Sequence, residues 1–139
     1  MDAQKTKRRT RLVVAPVREI MSTPVVTVLD RVRLCDALTL LVGTGLRHLV
    51  AVDEGGRCLG VLVDRDLVSA WAADPTALGR LRVRDLVTGG PAVDEGATVT
   101  LAAGIMCTAG VDAVAVVDTD DRPQGIVTGG DLAAWLARR

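Results

Sequence analysis

One pattern is written twice in this chain, and it constrains the fold more than any other feature. Gly45-Leu46-Arg47-His48-Leu49-Val50-Ala51-Val52-Asp53, then Gly60-Val61-Leu62-Val63-Asp64-Arg65-Asp66-Leu67, returns as Gly110-Val111-Asp112-Ala113-Val114-Ala115-Val116-Val117-Asp118, then Gly125-Ile126-Val127-Thr128-Gly129-Gly130-Asp131-Leu132. Asp53 and Asp118, Gly60 and Gly125, and Asp66 and Asp131 all stand 65 positions apart. Two similar units, each too small to bury a core alone, must pack against each other. Two related clefts follow, and the differences between the copies decide what each cleft can hold.

Each copy opens with a short helical signature, Val17-Arg18-Glu19-Ile20-Met21 and Val83-Arg84-Asp85-Leu86-Val87. One residue is lost from the second copy in the loop that follows, where Pro24 and Gly89-Gly90-Pro91 mark a break. A helix comes next, with Leu34, Leu38, Leu41 and Val42 at helical spacing in one copy and Val99, Ala102, Ala103 and Met106 in the other. Gly43, Gly45 and Gly110 close these helices. Gly104 weakens the second by about 1 kcal/mol relative to alanine. The runs Leu49–Val52 and Cys58–Val63, and their counterparts, are continuously apolar, as strands covered on both faces are. A last helix begins near Asp64 with Leu67, Val68 and Trp71, and near Gly129 with Leu132, Trp135 and Leu136 on the apolar side. This divides the chain into a basic tail (1–16), repeat 1 (17–73), a connector (74–82) broken by Pro75 and Gly79, and repeat 2 (83–139).

Composition narrows the function. The chain has 139 residues, 49% of them hydrophobic, with no Phe, no Tyr and two Trp, so the core is aliphatic. Seventeen basic residues balance seventeen acidic ones, and no global field draws the chain to nucleic acid or membrane. The lack of aromatics also removes a base-stacking surface. Lys5, Lys7, Arg8, Arg9 and Arg11 form a solvated tail, with an electrostatic arm for nucleic acid as the lesser alternative. The apolar stretch Leu12–Ala15 behind them is too short for an export signal. Cys35, Cys58 and Cys107, odd in number and without C-x-x-C spacing, read as small buried hydrophobes of a reducing, cytoplasmic compartment. A catalytic triad or histidine metal cluster would have to be built on His48 alone, and it has no partner motif. No catalytic residue and no metal site is assigned.

A short helix and loop followed by β-α-β-β-α, twice over, resembles tandem cystathionine β-synthase (CBS) domains. The resemblance covers residues 17–137 and rests on Gly45–Leu49, Gly60–Leu67 and Gly125–Leu132. It implies an α/β fold of two pseudo-twofold-related repeats packed through their central strands. It further implies a regulatory module rather than an enzyme, with an adenosine-type ligand (AMP, ADP, ATP, NAD or S-adenosylmethionine) and no required cofactor. A homodimer, acting on a regulated protein in trans, completes the expectation; with no room for a fused enzyme, the pair would stand alone.

The family's ribose–phosphate signature, Gly-x-x-Thr/Ser-x-x-Asp, is met by Gly125, Thr128 and Asp131. A threonine hydroxyl at a strand end can donate to phosphate, and a carboxylate in the next helical turn can accept both ribose hydroxyls. Gly129 and Gly130 would leave backbone amides open at the helix start. The same residues also read as helix caps, and both readings stand. In repeat 1, Val63 takes the threonine's place, so Asp66 marks the weaker site. By the family's layout, Pro91, Ala92, Val93, Val111, Ala113 and Val114 would form the adenine slot of the repeat 2 cleft, although all six are core formers first. Gly130 stands where repeat 1 has Arg65, so Arg65, Arg47 or His48 would have to reach across to a phosphate. The competing function is a ligand-free dimerisation scaffold with decayed sites.

Overall fold

The computed structural model describes residues 15–138; the basic residues of the expected tail lie outside them. Repeat 1 holds β1 (Thr27–Leu29), α1 (Leu34–Thr44), β2 (His48–Val52), β3 (Cys58–Val63) and α2 (Asp64–Ala73). Between the repeats lies α3 (Ala77–Arg80), and repeat 2 opens with α4 (Val83–Leu86). Repeat 2 holds β4 (Ala92–Asp94), α5 (Val99–Ala109), β5 (Ala113–Val117), β6 (Pro123–Thr128) and α6 (Gly129–Ala137). The signature at the start of repeat 1 is a single 3-10 turn, Val17–Glu19.

Each repeat forms its own three-stranded sheet, ordered β1-β2-β3 and β4-β5-β6. The first pair in each is parallel and the second antiparallel, with Val50 opposite Val61 and Ala115 opposite Ile126. The middle strands are sheltered on both faces, which is why they are unbroken apolar runs: every residue of β5 is buried. Val50, Val52 and Ala115 bury together in a seam, with Val61 and Ala92 packed against them. Gly45 and Gly110 end α1 and α5 in the left-handed conformation, at φ 69° and 67°. That conformation costs an L side chain energy and glycine none.

The opening segments cross over. Val17, Ile20 and Met21, from the start of repeat 1, pack into the repeat 2 core with Val93, Val99, Met106 and Trp135. Val83, Val87 and Leu86, from the start of repeat 2, pack into the repeat 1 core with Leu34, Leu41 and Leu67. Matching backbone bonds hold the two crossings. Leu34 N donates to Leu81 O (3.0 Å) and Val83 N to Val32 O (2.8 Å), while Val99 N donates to Ala15 O (2.8 Å) and Val17 N to Ala97 O (2.8 Å). Val17 and Val83 are both fully buried, each stabilising the other repeat by about 1.5–3 kcal/mol. Neither repeat completes its core alone.

Several expected core residues face outward. Val42, Val68, Trp71 and Leu136 are exposed, Trp71 at 52% and Leu136 at 56%. In α2 and α6 the inward positions are Leu67 with Ala70, and Leu132 with Trp135, three residues apart, which turns the fourth-residue partner away. The indole of Trp135 fills the second core where the first uses the small Ala70 plus Leu78 and Leu81 of the connector. The connector is thus partly helical, and Gly79 lies inside α3 rather than breaking it. Cys107 is exposed too: it follows the buried Met106 by one position, about 100° around α5. Cys35 and Cys58 are half-buried. No helix among the described residues is long and apolar enough to cross a membrane.

Candidate functional site

Because the openings cross, the cleft at Asp66 is composite. A cleft of about 310 Å3 is walled by His48, Val61, Val63, Arg65 and Asp66 of repeat 1 and by Leu86–Val87, Gly89–Pro91 and Gly110–Ala113 of repeat 2. Pro91, Val111 and Ala113, expected to form a slot for the Thr128–Asp131 motif, therefore face Asp66. Of the other expected slot residues, Val93 and Val114 are core (4% and 0% exposed). Ala92 packs on the seam between the sheets. β4 and β5 turn these side chains into the fold, so none of the three lines this cleft.

Asp66 lies in the first turn of α2. Its Oδ2 accepts from Val63 N at 3.2 Å, which satisfies one of the backbone amides that a helix start leaves without an intrahelical partner. No hydrogen bond to its other carboxylate oxygen is found among the described residues. Val63 supplies no hydroxyl, and its buried side chain leaves that part of the wall apolar. Two nitrogen-bearing side chains line the same cleft. Arg65 is exposed at the rim, and the side chain of His48 is 15% exposed with Nε2 3.5 Å from Asp112 Oδ1. That contact joins the two repeats across the cleft mouth. Arg47 takes no part, since its Nε faces Asp64 Oδ2 at 3.5 Å on the open surface.

The edge of β3 also opens here. Val50 N donates to Val26 O (3.0 Å) on the β1 side. The Val50–Val61 pair is therefore the non-hydrogen-bonded kind, and Val61 turns its N–H and C=O away from β2. Val87–Gly90 lies against this edge closely enough that a Cβ on Gly60 would meet Val87 Cγ1 at 3.0 Å and Gly90 N at 3.3 Å. No bridge pairs the two segments among the described residues. The cleft thus offers a carboxylate oxygen, a backbone donor and acceptor, and apolar walls.

The Thr128–Asp131 motif is arranged differently. Asp131 Oδ2 accepts from Thr128 N at 2.9 Å, and Thr128 Oγ1 accepts from Asp131 N at 3.1 Å. This reciprocal pair is a capping box, so the capping reading is present in the geometry. Gly129 N donates to Asp112 O at 2.9 Å, so one of the two amides expected to be open is already used. Gly125 is pressed against Met21 and Ser22, with a Cβ there falling 2.6 Å from Met21 Sδ and 3.1 Å from Ser22 O. Ser22 pairs with Ile126 in both backbone directions (2.8 and 3.2 Å), and its Oγ donates to Asp131 Oδ1 at 2.8 Å. Sequence reasoning missed Ser22 and Val61. Nothing in a serine or a valine announces which strand edge it meets.

Among the described residues no group of three or more His, Cys, Asp or Glu is placed to hold a metal ion. Burial first, with the nearby Asp121 charge adding to it and a Gly60 backbone hydrogen bond opposing, raises the Cys58 thiol above its ordinary range.

Comparison with known proteins places this geometry. A family model described as CBS domain matches twice, at residues 17–73 and 83–138. The chain is 28% identical over 117 residues to an L-aspartate semialdehyde sulfurtransferase of Methanocaldococcus jannaschii, covering 84% of this chain and 22% of that protein. A homoserine O-acetyltransferase of Methanosalsum zhilinae is 29% identical over 111 residues, again covering 22% of its length. The chain therefore spans about a fifth of these curated relatives. Among solved structures, a CBS domain pair in complex with 5′-methylthioadenosine and S-adenosyl-L-methionine superposes with a TM-score of 0.78 at 25% identity, over 90% of this chain and 98% of that one. CBSX2 in complex with AMP gives 0.73 at 26% identity, over 90% and 99%.

Proposed function

We propose that this chain, which belongs to the CBS domain family, is a regulatory module without catalysis that binds an adenosine-type ligand in the cleft at Asp66. The observation that carries this reading is the pairing, in one cleft, of an Asp66 oxygen and a Val61 strand edge that both lack a hydrogen-bond partner among the described residues. Asp66 accepts the ribose hydroxyls, Val61 reads the base edge through its backbone, and Val87, Pro91 and Val111 cover its faces. Arg65 and His48 stand where a phosphate or a carboxylate of the ligand would lie. This moves the favoured site from Thr128 and Asp131, preferred from the motif alone, to the cleft that Pro91, Val111 and Ala113 line. Related CBS pairs with bound S-adenosylmethionine or AMP support the ligand class. The enzyme-named relatives match over only about a fifth of their length, which supports a regulatory part rather than a catalytic one.

Binding acts by differential affinity: a ligand touching β3, α2 and the Gly89–Pro91 loop holds one arrangement of the two repeats. That arrangement is read by a partner protein in trans or by a second copy of the chain. The test is thermal unfolding with AMP, ADP, ATP, NAD and S-adenosylmethionine. A ligand at about 100 times its Kd adds about 2.7 kcal/mol, a shift of several degrees. Asp66→Ala weakens binding about ten- to hundredfold through lost charge-assisted hydrogen bonds. Unshifted midpoints with all five compounds refute the reading.

A further inference from the structure

The two carboxylate motifs share their plan but not their state. Among the described residues, the outer N–H and C=O of β3 at Val61 have no hydrogen-bond partner and Asp66 keeps one oxygen without one. At the matching places of repeat 2, both backbone groups of Ile126 are bonded to Ser22 (2.8 and 3.2 Å). The matching carboxylate oxygen, Asp131 Oδ1, accepts the Ser22 hydroxyl at 2.8 Å. Met21 completes the cover by packing on Gly125. Three hydrogen bonds from one residue thus satisfy the same edge and the same acid that stand open in the other cleft.

We infer that Ser22 is the specificity-determining residue of the pair, a latch that closes the Asp131 cleft and leaves the Asp66 cleft as the one that takes ligand first. The inference deepens the adenosine reading and rests on it. The Asp131 cleft keeps Thr128, whose hydroxyl proton remains available to an acceptor, so it is a second site under tension rather than a lost one. A ligand enters it only by displacing the Ser22 hydroxyl from Asp131 and the Ser22 backbone from Ile126. Two sites of equal plan are thereby separated in affinity. Ser22 is exposed, so its loss leaves no cavity, and the substitution tests the latch without disturbing the core.

Calorimetric titration with AMP distinguishes the outcomes. The wild-type chain takes one equivalent, lost in Asp66→Ala and retained in Asp131→Ala. Ser22→Ala gains a second equivalent, about tenfold tighter than any second binding in the wild type, and Asp131→Ala on that background removes it. Ser22→Thr, which restores the hydroxyl, returns the chain to one equivalent. Unchanged stoichiometry and affinity in Ser22→Ala overturn the latch, as does wild-type binding that depends on Asp131 alone. If neither the wild type nor Ser22→Ala takes AMP, the adenosine reading fails for this ligand, and amide hydrogen exchange decides the latch. Exchange at Ile126 then rises about tenfold in Ser22→Ala, and unchanged protection overturns the proposal.

Discussion

One substitution made at two glycines should move stability in opposite directions. At Gly60 the backbone has φ +142°, and an added Cβ meets Val87 Cγ1 at 3.0 Å, Gly90 N at 3.3 Å and Gly90 Cα at 3.4 Å. Val87 is β-branched and stiff at χ1, and the Gly90 atoms are backbone, so neither neighbour yields cheaply. The backbone conformation costs about 1–3 kcal/mol for an L side chain, and overpacking adds about 1–3 kcal/mol. Gly60→Ala therefore destabilises by about 2–6 kcal/mol when both costs are paid. At Gly104, inside α5, nothing lies within 4 Å of the added Cβ. Gly104→Ala therefore removes a helix-interior glycine and stabilises by about 1 kcal/mol. For a domain of this size each kcal/mol moves the midpoint by about 3–4 °C. Thermal unfolding followed by circular dichroism should show Gly60→Ala falling by roughly 6–24 °C and Gly104→Ala rising by about 3 °C. A Gly60→Ala midpoint within 1–2 °C of wild type would refute the argument that β3 and the Val87–Gly90 loop are held in close contact.

Two further outcomes concern titrating groups. In thiol labelling of the native chain near neutral pH, the exposed Cys107 reacts first. Cys58 lags because burial raises its thiol and lowers the thiolate fraction; Cys58 labelling as fast as Cys107 would contradict this. On the connector, the Thr76 hydroxyl (2.8 Å) and then Arg80 (2.7 Å) hold the Asp74 carboxyl below its ordinary range. A carboxylate favoured in the folded state contributes stability above its unfolded pKa and loses it as pH falls through the lower folded value. The gap in urea midpoint between wild type and Asp74→Asn is thus present at neutral pH and closes in acid. A gap that is constant from neutral pH to acid would show that the hydrogen bonds to Asp74 do not favour its charged form.

Much of the fold was legible because periodicity reports burial. The strands at Leu49–Val52 and Cys58–Val63, the helix starts at Asp64 and Gly129, and the glycine stops at Gly45 and Gly110 all follow from local chemistry. Errors arose where a helix face was wide enough to be ambiguous. Val42, Val68, Trp71 and Leu136 fit an apolar stripe by spacing, yet they point outward because Leu34, Leu41, Leu67, Leu132 and Trp135 already fill the available core. The site was legible only in part. The family signature pointed to Asp131 and, without its threonine, to Asp66, since a first-turn carboxylate alone reads equally as a helix cap, and the family's layout pointed to Pro91 and Val111. What could not be read was which loop serves which carboxylate.

The sequence by itself determined that there are two copies, what elements each contains and which residue types stand at each motif position, Val63 against Thr128 and Arg65 against Gly130. Only the tertiary structure decided how the copies share their parts. An aliphatic pattern says that Val17 and Val83 must be buried, but two cores built of the same residues are indistinguishable to it. The backbone bonds from Leu34 to Leu81 and from Val99 to Ala15 send each opening segment into the opposite repeat. That crossing carries Pro91 to Asp66 and Ser22 to Asp131, so of two motifs written almost alike one carboxylate is bonded to Ser22 and the other keeps an oxygen without a partner among the described residues.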